Sequence, residues 1–498
     1  MAKLKDWLKR SEYSLLTGTA EEDVQDVIFD SRKAAPGTVF VCMAGSHTDS
    51  HVFLADAAAA GCRSFVVEKP LEELKLPEGT ELNIIRVEDG RKALAELCCA
   101  RFDYPAEKLK MIGITGTKGK TTVSYMLRSI LSLAGHRTGV IGTNGCVING
   151  KLYHTLNTTP GPYEINSLLD TMVREGCSAA VMECSSQGFK MHRTHGIRFD
   201  YGLFLNISPD HIGPDEHADF DEYLYCKSRL LPDSEVAVVN ADDPHTEELL
   251  QLAGKRTGPC YSFSMHGKGD LNAGEPELVS DGSFTGTVFQ LDGLASGEIR
   301  QDLPGSYNVM NALAAITVSL LMGAPLRCIQ EAMSSIHVDG RMEVVERNDR
   351  YTVLVDYAHN ALSMRSLLDT LREYDPARLV VVFGCGGNRS KDRRTGMGAA
   401  AAEKADFSIF TADNSRFEKT EDIIRDIEEA YLEAGGHQDH YAIVPDRYQA
   451  IRLAMANAQK GDMIAVIGKG HEDYQEENGV RHHFLDREAI EEIRKELQ

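Results

Sequence analysis

A short glycine-rich turn between an apolar run and a helical pattern constrains this chain more than any other feature. The run Met111–Thr115 leads into Gly116-Thr-Lys-Gly-Lys-Thr-Thr122, and the helical pattern continues to Ala134 and stops at Gly135. Backbone N–H groups of such a turn, with the N-terminus of the next helix, point at an anion. A lysine there reaches the terminal phosphates, and the next hydroxyl ligates Mg²⁺. The order of strand, turn and helix therefore predicts a nucleoside-triphosphate site in an α/β fold.

The turn does not follow the strict P-loop pattern. Position 114, five residues before Gly119, is isoleucine, and the first glycine stands at position 116. An ordinary glycine-rich turn between a strand and a helix is therefore an open alternative at this point. The candidate phosphate-binding residues are Gly116, Thr117, Lys118, Gly119, Lys120, Thr121 and Thr122.

Length and charge restrict the classes of protein that remain. A chain of 498 residues predicts about three domains. A net charge of −22 argues against nucleic acid and anionic membranes as partners. Eleven scattered cysteines without a CxxC pair argue against a disulfide framework or a zinc site and favour a reducing cytoplasm. We find no apolar run of about 18 residues and no signal-peptide pattern, so membrane insertion is not expected.

Periodicity divides the chain into three α/β sections, at 1–108, 109–335 and 336–498. The glycine-rich stretch 264–300 is typical of turns and β-hairpins, and a helix is predicted over 308–322. The predicted strands are Val39–Met43, Ser64–Val67, Met111–Thr115, Ala179–Met182, Leu203–Asn206, Val236–Asn240, Val353–Asp356, Leu379–Phe383, Ser408–Thr411 and Met463–Ile467.

Polar loops follow the four predicted strands of the last section. In open α/β sheets, ligands bind beyond the carboxyl ends of the strands, so we expect these loops to share one binding edge. Arg389 can bind a carboxylate in bidentate fashion, the pair Asp413 and Arg416 suits a zwitterion, and Glu472 suits an ammonium group. Together the loops predict an amino-acid pocket. A basic loop cluster for anionic substrates is predicted at Arg389, Lys391, Arg393 and Arg394.

Single residues near the predicted strands have two readings each. Glu183 follows the run Ala179–Met182 and is either a Mg²⁺ ligand or a solvated carboxylate. His211 could bind a second divalent cation or be an ordinary loop histidine. Lys227 lies in the helical pattern 220–230, where a lone lysine is ordinarily a solvated surface group.

Three residues further along have the chemistry to bind a nucleoside. Asp356, at a strand end, could bind a ribose hydroxyl. Asn308 and Asn311 lie on one helix face and could hydrogen-bond a base or simply cap the helix.

Taken in chain order, these motifs resemble the Mur ligases, ATP-dependent amide-forming enzymes of peptidoglycan assembly. Within that family the chain is most similar to the UDP-N-acetylmuramoyl-tripeptide synthetases, which add the third residue of the stem peptide. The resemblance covers essentially the whole chain. Its motifs are Asp30-Ser-Arg32, Gly116–Thr122, Asn157-Thr-Thr-Pro160, Glu183-Cys-Ser-Ser186, Asp210-His211, Gly340-Arg-Met-Glu343, Asp356–Asn360, Gly384–Arg389, Asp413–Arg416 and Gly468–Gln475.

The resemblance implies three domains: an N-terminal one for the UDP-substrate, a central P-loop-type ATPase domain with a largely parallel sheet, and a C-terminal Rossmann-like domain for the amino acid. It implies ATP, two Mg²⁺ ions and a carbamate on Lys227, in a cytoplasmic monomer. Lys120, Lys227, His211 and Glu183 become catalytic, and Thr121 joins Glu183, His211 and carbamylated Lys227 as metal ligands. ATP contacts are implied for Asn308, Arg341 and Asp356, UDP-substrate contacts for Ser31, Asn157, Thr158, Thr159, Ser185 and Arg193, and amino-acid contacts for Arg389, Asp413, Asn414, Arg416, Gly468 and Glu472.

The implied reaction joins UDP-MurNAc-L-Ala-D-Glu to a diamino acid through an acyl phosphate. Arg416 with Arg389 resembles the enzymes that accept meso-diaminopimelate, whose second carboxylate needs a cationic partner. A paralogue that adds lysine or another residue, a folylpolyglutamate-synthetase-like ligase and a non-catalytic nucleotide-binding scaffold are the alternatives. The chain departs from the family pattern at Lys118, at Ser415 and in the segment 210–217, which is longer by about two residues.

Overall fold

The computed structural model describes residues 2–45, 48–213, 216–254 and 258–497. The chain divides into two compact units, Met1–Ser262 and Phe263–Gln498. Among the described residues, no helix combines the length and the apolar character that crossing a bilayer requires.

The first unit begins with a five-stranded sheet in the order β2-β7-β6-β5-β4, parallel except for β2. Its apolar side chains, among them Phe40 and Phe65, are buried against the helices on the two faces. The elements are β1 (Ala2–Lys3), α1 (Leu4–Trp7), β2 (Ser14–Thr17), β3 (Asp23–Val24), β4 (Asp26–Ile28), β5 (Thr38–Val41), α2 (Leu54–Ala59), β6 (Ser64–Val67), β7 (Asn83–Arg86) and α3 (Gly90–Arg101).

The rest of the first unit contains a sheet in the order β11-β10-β9-β12-β8-β13-β14. Strands β9, β12, β8, β13 and β14 are parallel, and β8 lies at their centre. The elements are β8 (Lys110–Thr115), α4 (Lys120–Leu133), β9 (Thr138–Gly142), β10 (Gly145–Ile148), β11 (Lys151–Tyr153), α5 (Pro162–Arg174), β12 (Ala179–Glu183), α6 (Ser186–Lys190), β13 (Phe199–Phe204), α7 (Phe220–Ser228), β14 (Ser234–Asn240) and α8 (Thr246–Ala253).

In the second unit, β16 and β18 pair with antiparallel neighbours, as the prediction of hairpins over 264–300 requires. A six-stranded sheet follows, in the order β20-β21-β25-β22-β23-β24, parallel except for β20. The elements are β15 (Cys260–Ser264), which contains the boundary, β16 (Leu271–Ala273), β17 (Glu277–Ser280), β18 (Thr285–Gly293), β19 (Gly297–Gln301), α9 (Tyr307–Leu321), α10 (Leu326–Ser334), β20 (Glu343–Arg347), β21 (Tyr351–Asp356), α11 (Ala361–Arg372), β22 (Arg378–Phe383), α12 (Asp392–Lys404), β23 (Phe407–Phe410), α13 (Thr420–Glu433), β24 (Tyr441–Ile443), α14 (Arg447–Ala456), β25 (Asp462–Ile467), β26 (Tyr474–Glu477), β27 (Val480–His483) and α15 (Asp486–Leu497).

One predicted strand is displaced along the chain. We expected a strand over Leu203–Asn206, but β13 begins at Phe199 and ends at Phe204. The Asp200 side chain at its start accepts a hydrogen bond from the backbone N–H of Met111 (2.8 Å), so a polar residue stands inside the strand. Asn206 lies two residues beyond the end of the strand, where its carboxamide forms hydrogen bonds with the backbone of Lys118.

Candidate active site

The glycine-rich turn is fixed from outside by one asparagine. The side-chain carboxamide of Asn206 accepts a hydrogen bond from Lys118 N (2.9 Å) and donates one to Lys118 O (3.1 Å). The backbone carbonyl of Asn206 accepts a third hydrogen bond from Thr117 N (3.0 Å). Gly119, with φ of +90°, caps the N-terminus of α4 in the left-handed region. The side chain of Lys118 is exposed. The backbone conformation of the turn therefore does not depend on which side chain stands at position 118.

Two lysines converge on the same carbonyl group. Lys120 Nζ donates to Gly116 O (2.7 Å) and to Thr117 O (3.1 Å), and Lys227 Nζ donates to Gly116 O (2.8 Å). Lys227 is 2% exposed, so the expectation of a solvated lysine is wrong. Helix α7 presents it to the core rather than to solvent. Burial, reinforced by the nearby Lys120 charge, holds the pKa of Lys227 well below its usual range.

Tyr223 contacts the buried lysine, and no motif in the sequence points to this residue. Its ring lies 4.7 Å from Lys227 Nζ, one helical turn away on α7, and its hydroxyl lies 3.0 Å from Thr117 Oγ1. Burial raises the pKa of Tyr223 to about 12, so the phenol stays neutral at physiological pH. A ring face attracts a cation, so this contact acts against the burial that lowers the pKa of Lys227.

Glu183 stands at the carboxyl end of β12 and is almost fully buried. One carboxylate oxygen accepts hydrogen bonds from Thr121 Oγ1 (3.1 Å) and Thr143 Oγ1 (3.0 Å), and the other accepts from Thr143 N (3.1 Å). A Cβ at Gly142 would lie 2.1 Å from this carboxylate, so the space exists because residue 142 is glycine. These hard oxygen donors beside the turn are the ligands that Mg²⁺ prefers. The reading of Glu183 as a solvated strand-end residue is therefore wrong.

The predicted UDP-substrate residues of the central section form a second network around Thr159. Thr159 Oγ1 donates to Glu183 O (2.9 Å) and lies 3.0 Å from Ser185 Oγ, and Arg193 Nη1 donates to Thr159 O (2.8 Å). The hydroxyl oxygen of Thr158 lies 3.1 Å from that of Thr143. Asn157 is exposed. The network therefore joins these residues to Glu183. Ser31 lies in a 3₁₀ turn of the N-terminal sheet section.

His211 is half exposed and makes its described contacts away from Glu183. Its Nδ1 lies 2.8 Å from Glu216 Oε1, and its Nε2 lies 3.9 Å from the Asp210 carboxylate. Its φ of +53° places it in the left-handed region. Pro214 and Asp215, in the segment that we noted as longer than the family pattern, lie outside the described residues.

In the second unit, Asp356 organises the predicted nucleoside residues. Its carboxylate accepts hydrogen bonds from Met342 N (2.8 Å) and Ala358 N (2.8 Å), and burial raises the pKa of Asp356 although Arg341 opposes this. The Arg341 guanidinium lies 5.0 Å from the Tyr357 ring centre. This set joins the segment before β20 to the loop after β21.

Asn308 and Asn311 are buried on one face of α9, as their spacing predicts. Asn311 Nδ2 donates to Asn308 Oδ1 (2.8 Å), and Asn308 Nδ2 donates to Pro304 O (2.6 Å). The second of these bonds ties the first turn of the helix to Pro304, which lies three residues before the helix begins.

Four loops leave one edge of the six-stranded sheet, because β21, β22, β23 and β25 are parallel neighbours. Asn414 Nδ2 donates to Glu472 Oε2 (2.8 Å), which joins the loops after β23 and β25. Arg416, with φ of +51°, is half-buried and donates from Nη1 to Gly387 O (2.7 Å), which joins the loops after β22 and β23. A Cβ at Gly468 would lie 3.3 Å from Asp413 Oδ2. The predicted amino-acid residues of these loops are thus brought together.

The predicted basic loop cluster is only partly correct. Arg393 and Arg394 belong to α12 rather than to a loop, and Arg394 is buried. Its guanidinium pairs with Glu418 (2.8 Å) and Asp426 (2.8 Å), and Lys391 also pairs with Asp426 (3.2 Å). These charges are neutralised within the fold, whereas Arg389 is exposed. The number of basic residues in a loop does not show which of them form ion pairs within the fold and which are available to a substrate.

Comparisons with known proteins agree along the chain. Residues 114–319 match the family Mur ligase middle domain, and residues 340–470 match the family Mur ligase, glutamate ligase domain. A UDP-N-acetylmuramoyl-L-alanyl-D-glutamate–2,6-diaminopimelate ligase of Clostridium perfringens is 37% identical over 98% of this chain and 99% of its own length. The enzyme of the same name from Clostridium botulinum is 38% identical over 98% of this chain and 99% of its own length.

Solved structures give the same result for the fold. A structure of a UDP-N-acetylmuramoyl-L-alanyl-D-glutamate–2,6-diaminopimelate ligase superposes with a TM-score of 0.73 at 28% identity and covers 100% of this chain and 98% of that one. A folylpolyglutamate synthase of Mycobacterium tuberculosis superposes with a TM-score of 0.60 at 20% identity and covers 74% of this chain and 91% of that one. The second likeness concerns the fold alone.

Proposed function

The chain belongs to the Mur ligase family, and from that premise we propose that it ligates meso-diaminopimelate to UDP-N-acetylmuramoyl-L-alanyl-D-glutamate, coupled to the cleavage of ATP to ADP and phosphate. The family uses ATP and Mg²⁺, and its members are ligases of peptidoglycan synthesis. The observation that carries the proposal is the hydrogen bond between buried Glu183 and buried Thr121, which directly follows Lys120 of the glycine-rich turn.

The first step of the proposed reaction is attack by the carboxylate of the substrate on the γ-phosphorus of ATP. The bond from that phosphorus to the bridging oxygen breaks, and ADP leaves an acyl phosphate behind. Lys120 stabilises the developing charge by replacing its two carbonyl partners with phosphate oxygens. Bound Mg²⁺ would neutralise phosphate charge, and Thr121 and Glu183 are the residues that would hold it.

The second step is attack by the amine of the amino acid on the acyl carbon. A tetrahedral intermediate forms, its nitrogen releases a proton to solvent, the carbon–oxygen bond breaks and inorganic phosphate leaves, so an amide remains. The four loops at the edge of the six-stranded sheet position this amine and exclude water, which would otherwise hydrolyse the acyl phosphate. Asn308, Arg341 and Asp356 contribute to ATP binding in this proposal, and Ser31, Asn157, Thr158, Thr159, Ser185 and Arg193 bind the UDP-substrate.

A carbamate on Lys227 is part of the proposal, with His211 as ligand to a second Mg²⁺. Carbamylation joins the neutral amine of a lysine to CO₂ and releases a proton, so it requires a lysine that is deprotonated near neutral pH. Burial and the adjacent Lys120 charge favour that neutral form of Lys227. The product is an anion, which would pair with Lys120 instead of repelling it.

Arg416 supports diaminopimelate over lysine as the amino acid. Its guanidinium has one described donor bond, to Gly387 O, and retains further N–H groups for a carboxylate. Free lysine as the substrate has no second carboxylate, so the Arg416 guanidinium would have no carboxylate to bind. We assign Arg389, Asp413, Asn414, Gly468 and Glu472 to the same pocket.

The test is phosphate release by the full-length protein with UDP-MurNAc-L-Ala-D-Glu, MgATP and one amino acid at a time. We expect release with meso-diaminopimelate and little with lysine or ornithine. Preference for lysine would identify a lysine-adding paralogue, and release with a folate substrate would indicate a folylpolyglutamate-type ligase. No release with any substrate would leave a nucleotide-binding scaffold.

A further inference from the structure

Two loops of the second unit, the pocket loops, carry most of the proposed amino-acid contacts. The first, residues 411–416, follows β23, and the second, residues 468–473, follows β25. Strand β22 lies between those strands in the sheet, so the two loops are not held together by a shared strand ladder. Side chains must set the distance between them.

Arg447 is one such side chain. It is fully buried at the start of α14, and its Nε and Nη2 form a bidentate pair with Asp486 at 2.6 Å and 2.7 Å. The same guanidinium donates to Ala412 O in the first pocket loop (3.2 Å) and to Ile467 O, next to the second (2.9 Å). One planar group with five N–H donors thus fixes both loops and its own counter-ion.

Lys469 repeats this arrangement nearer the pocket. It is fully buried, and its Nζ donates to Asn414 Oδ1 (3.4 Å) in the first pocket loop and to the carbonyl of Tyr474, which follows the second. The carboxylates of Asp413 and Glu472 lie 3.9 Å and 3.7 Å from the same nitrogen. Since Asn414 Oδ1 accepts from Lys469, its Nδ2 is directed at Glu472.

We propose that Arg447, with its partner Asp486, and Lys469 are positioning residues for the amino acid: they set the separation of the pocket loops and hence the affinity for diaminopimelate. Neither cation touches the substrate in this proposal. Both act through backbone carbonyls and through the orientation of the Asn414 carboxamide. The inference rests on the proposed function, because it concerns the same pocket.

A purely structural pair would behave differently. Replacing a buried ion pair by apolar side chains of similar volume is often neutral or stabilising, whereas removing one partner leaves an uncompensated charge. The double variant Arg447→Met/Asp486→Leu therefore keeps the fold while removing the bonds to Ala412 and Ile467. If the pair only stabilised the fold, this variant would bind its substrates normally.

A control pair, less buried on its arginine side, lies at the opposite end of β25 and of its neighbour β22. Arg378 at the start of β22 forms a bidentate pair with buried Asp462 at the start of β25. Its Nε lies 3.2 Å from Asp462 Oδ1, and its Nη2 lies 2.5 Å from Asp462 Oδ2. The double variant Arg378→Met/Asp462→Leu removes a comparable pair far along the strand from the pocket loops. We expect it to leave the KM for diaminopimelate unchanged.

The experiment measures KM for diaminopimelate and for MgATP with the full-length enzyme. We expect Arg447→Met/Asp486→Leu to raise the KM for diaminopimelate about 10- to 100-fold, as small displacements of positioning groups do, with the KM for MgATP little changed. Lys469→Met should give the same split and serves as the second variant if the double variant does not fold. Equal changes in both KM values, or none in a folded variant, would overturn the proposal. An inactive wild-type protein would remove the proposed function as well, whereas an active wild type with unchanged variants would remove this inference alone.

Discussion

At the scale of single residues, the carbonyl of Gly116 accepts hydrogen bonds from both Lys120 and Lys227. Two ammonium groups so close repel each other, and burial adds a desolvation cost for the charge on Lys227. Deprotonation of Lys227 removes both costs. The lowered pKa of Lys227 thus follows from its location and agrees with the proposed reaction with CO₂.

Replacing Lys227 by alanine should abolish most of the ligase activity, and a short carboxylic acid should restore part of it by occupying the position of the carbamate. The measurement is phosphate release with and without added propionate. Glu183→Ala is the control, since the carboxylate that we propose as a metal ligand lies elsewhere and the same acid should not rescue it. Full activity of Lys227→Ala without rescue would contradict the carbamate.

Wild-type activity should also fall as pH falls through the depressed pKa of Lys227, because the protonated amine does not react with CO₂.

Arg416→Ala should weaken binding of diaminopimelate specifically. Loss of one charge-assisted hydrogen bond costs about 1.5–3 kcal/mol, which corresponds to roughly 10- to 150-fold in KM. Arg425→Ala is the matched control, because Arg425 is an exposed arginine on α13 that pairs with Asp422 of the same helix and has no assigned role in the pocket. Steady-state kinetics with each substrate varied in turn checks the assignment, and an equal rise in the KM for ATP would contradict it.

At the scale of secondary-structure elements, α4 shows how similar local geometry can serve two purposes. Gly119 precedes its first residue with φ of +90°, and Gly135 follows its last turn with φ of +94°. The left-handed conformation is available to glycine without a steric cost. At the N-terminus it directs backbone N–H groups towards an anion, and at the C-terminus it only ends the helix.

Both Gly119→Ala and Gly135→Ala should lower the free energy of unfolding by about 1–2 kcal/mol, because alanine is strained in the left-handed region. A Cβ at position 135 would have no neighbouring atom within 4 Å, so backbone strain alone should account for the loss of stability in Gly135→Ala. Only Gly119→Ala should also raise the KM for ATP. Urea unfolding and ATP kinetics on the two variants separate these contributions, and an unchanged KM in Gly119→Ala would exclude the turn as the phosphate site.

The elements that could be predicted from the sequence are those with a local signal. Buried parallel strands read as apolar runs, and α4 ends within one residue of its predicted end because Gly135 marks it. The start of β13 was missed because Asp200 interrupts the apolar pattern. The burial of Lys227 and the role of Arg447 could not be predicted, since both depend on partners far away in the sequence.

At the scale of the whole molecule, each compact unit carries part of the proposed machinery. The phosphate-binding turn, Glu183 and Lys227 belong to the first unit, and the amino-acid pocket belongs to the second. The boundaries at residues 108 and 335 stay predictions, although separate sheets lie in the three sections that they define. A relative that is 37% identical over 98% of the chain has the same order of segments, so the motif order carried information on the fold of the whole chain.

The strongly negative charge of the whole chain leads to a prediction about metal removal. A protein of net charge −22 binds a polyanion only where local charges compensate, and the buried carboxylate of Glu183 lies beside the turn that we propose as the phosphate site. ATP with Mg²⁺ at 100 times its Kd should therefore stabilise the protein by about 2.7 kcal/mol, and ATP with EDTA by far less. Thermal unfolding with ATP in the presence of Mg²⁺ or EDTA measures this difference. In Glu183→Gln the carboxylate charge is removed, so stabilisation by ATP should lose most of its dependence on Mg²⁺. An equal shift of the wild-type Tm with EDTA would show that the cation is not needed for binding and would assign Glu183 a purely structural role.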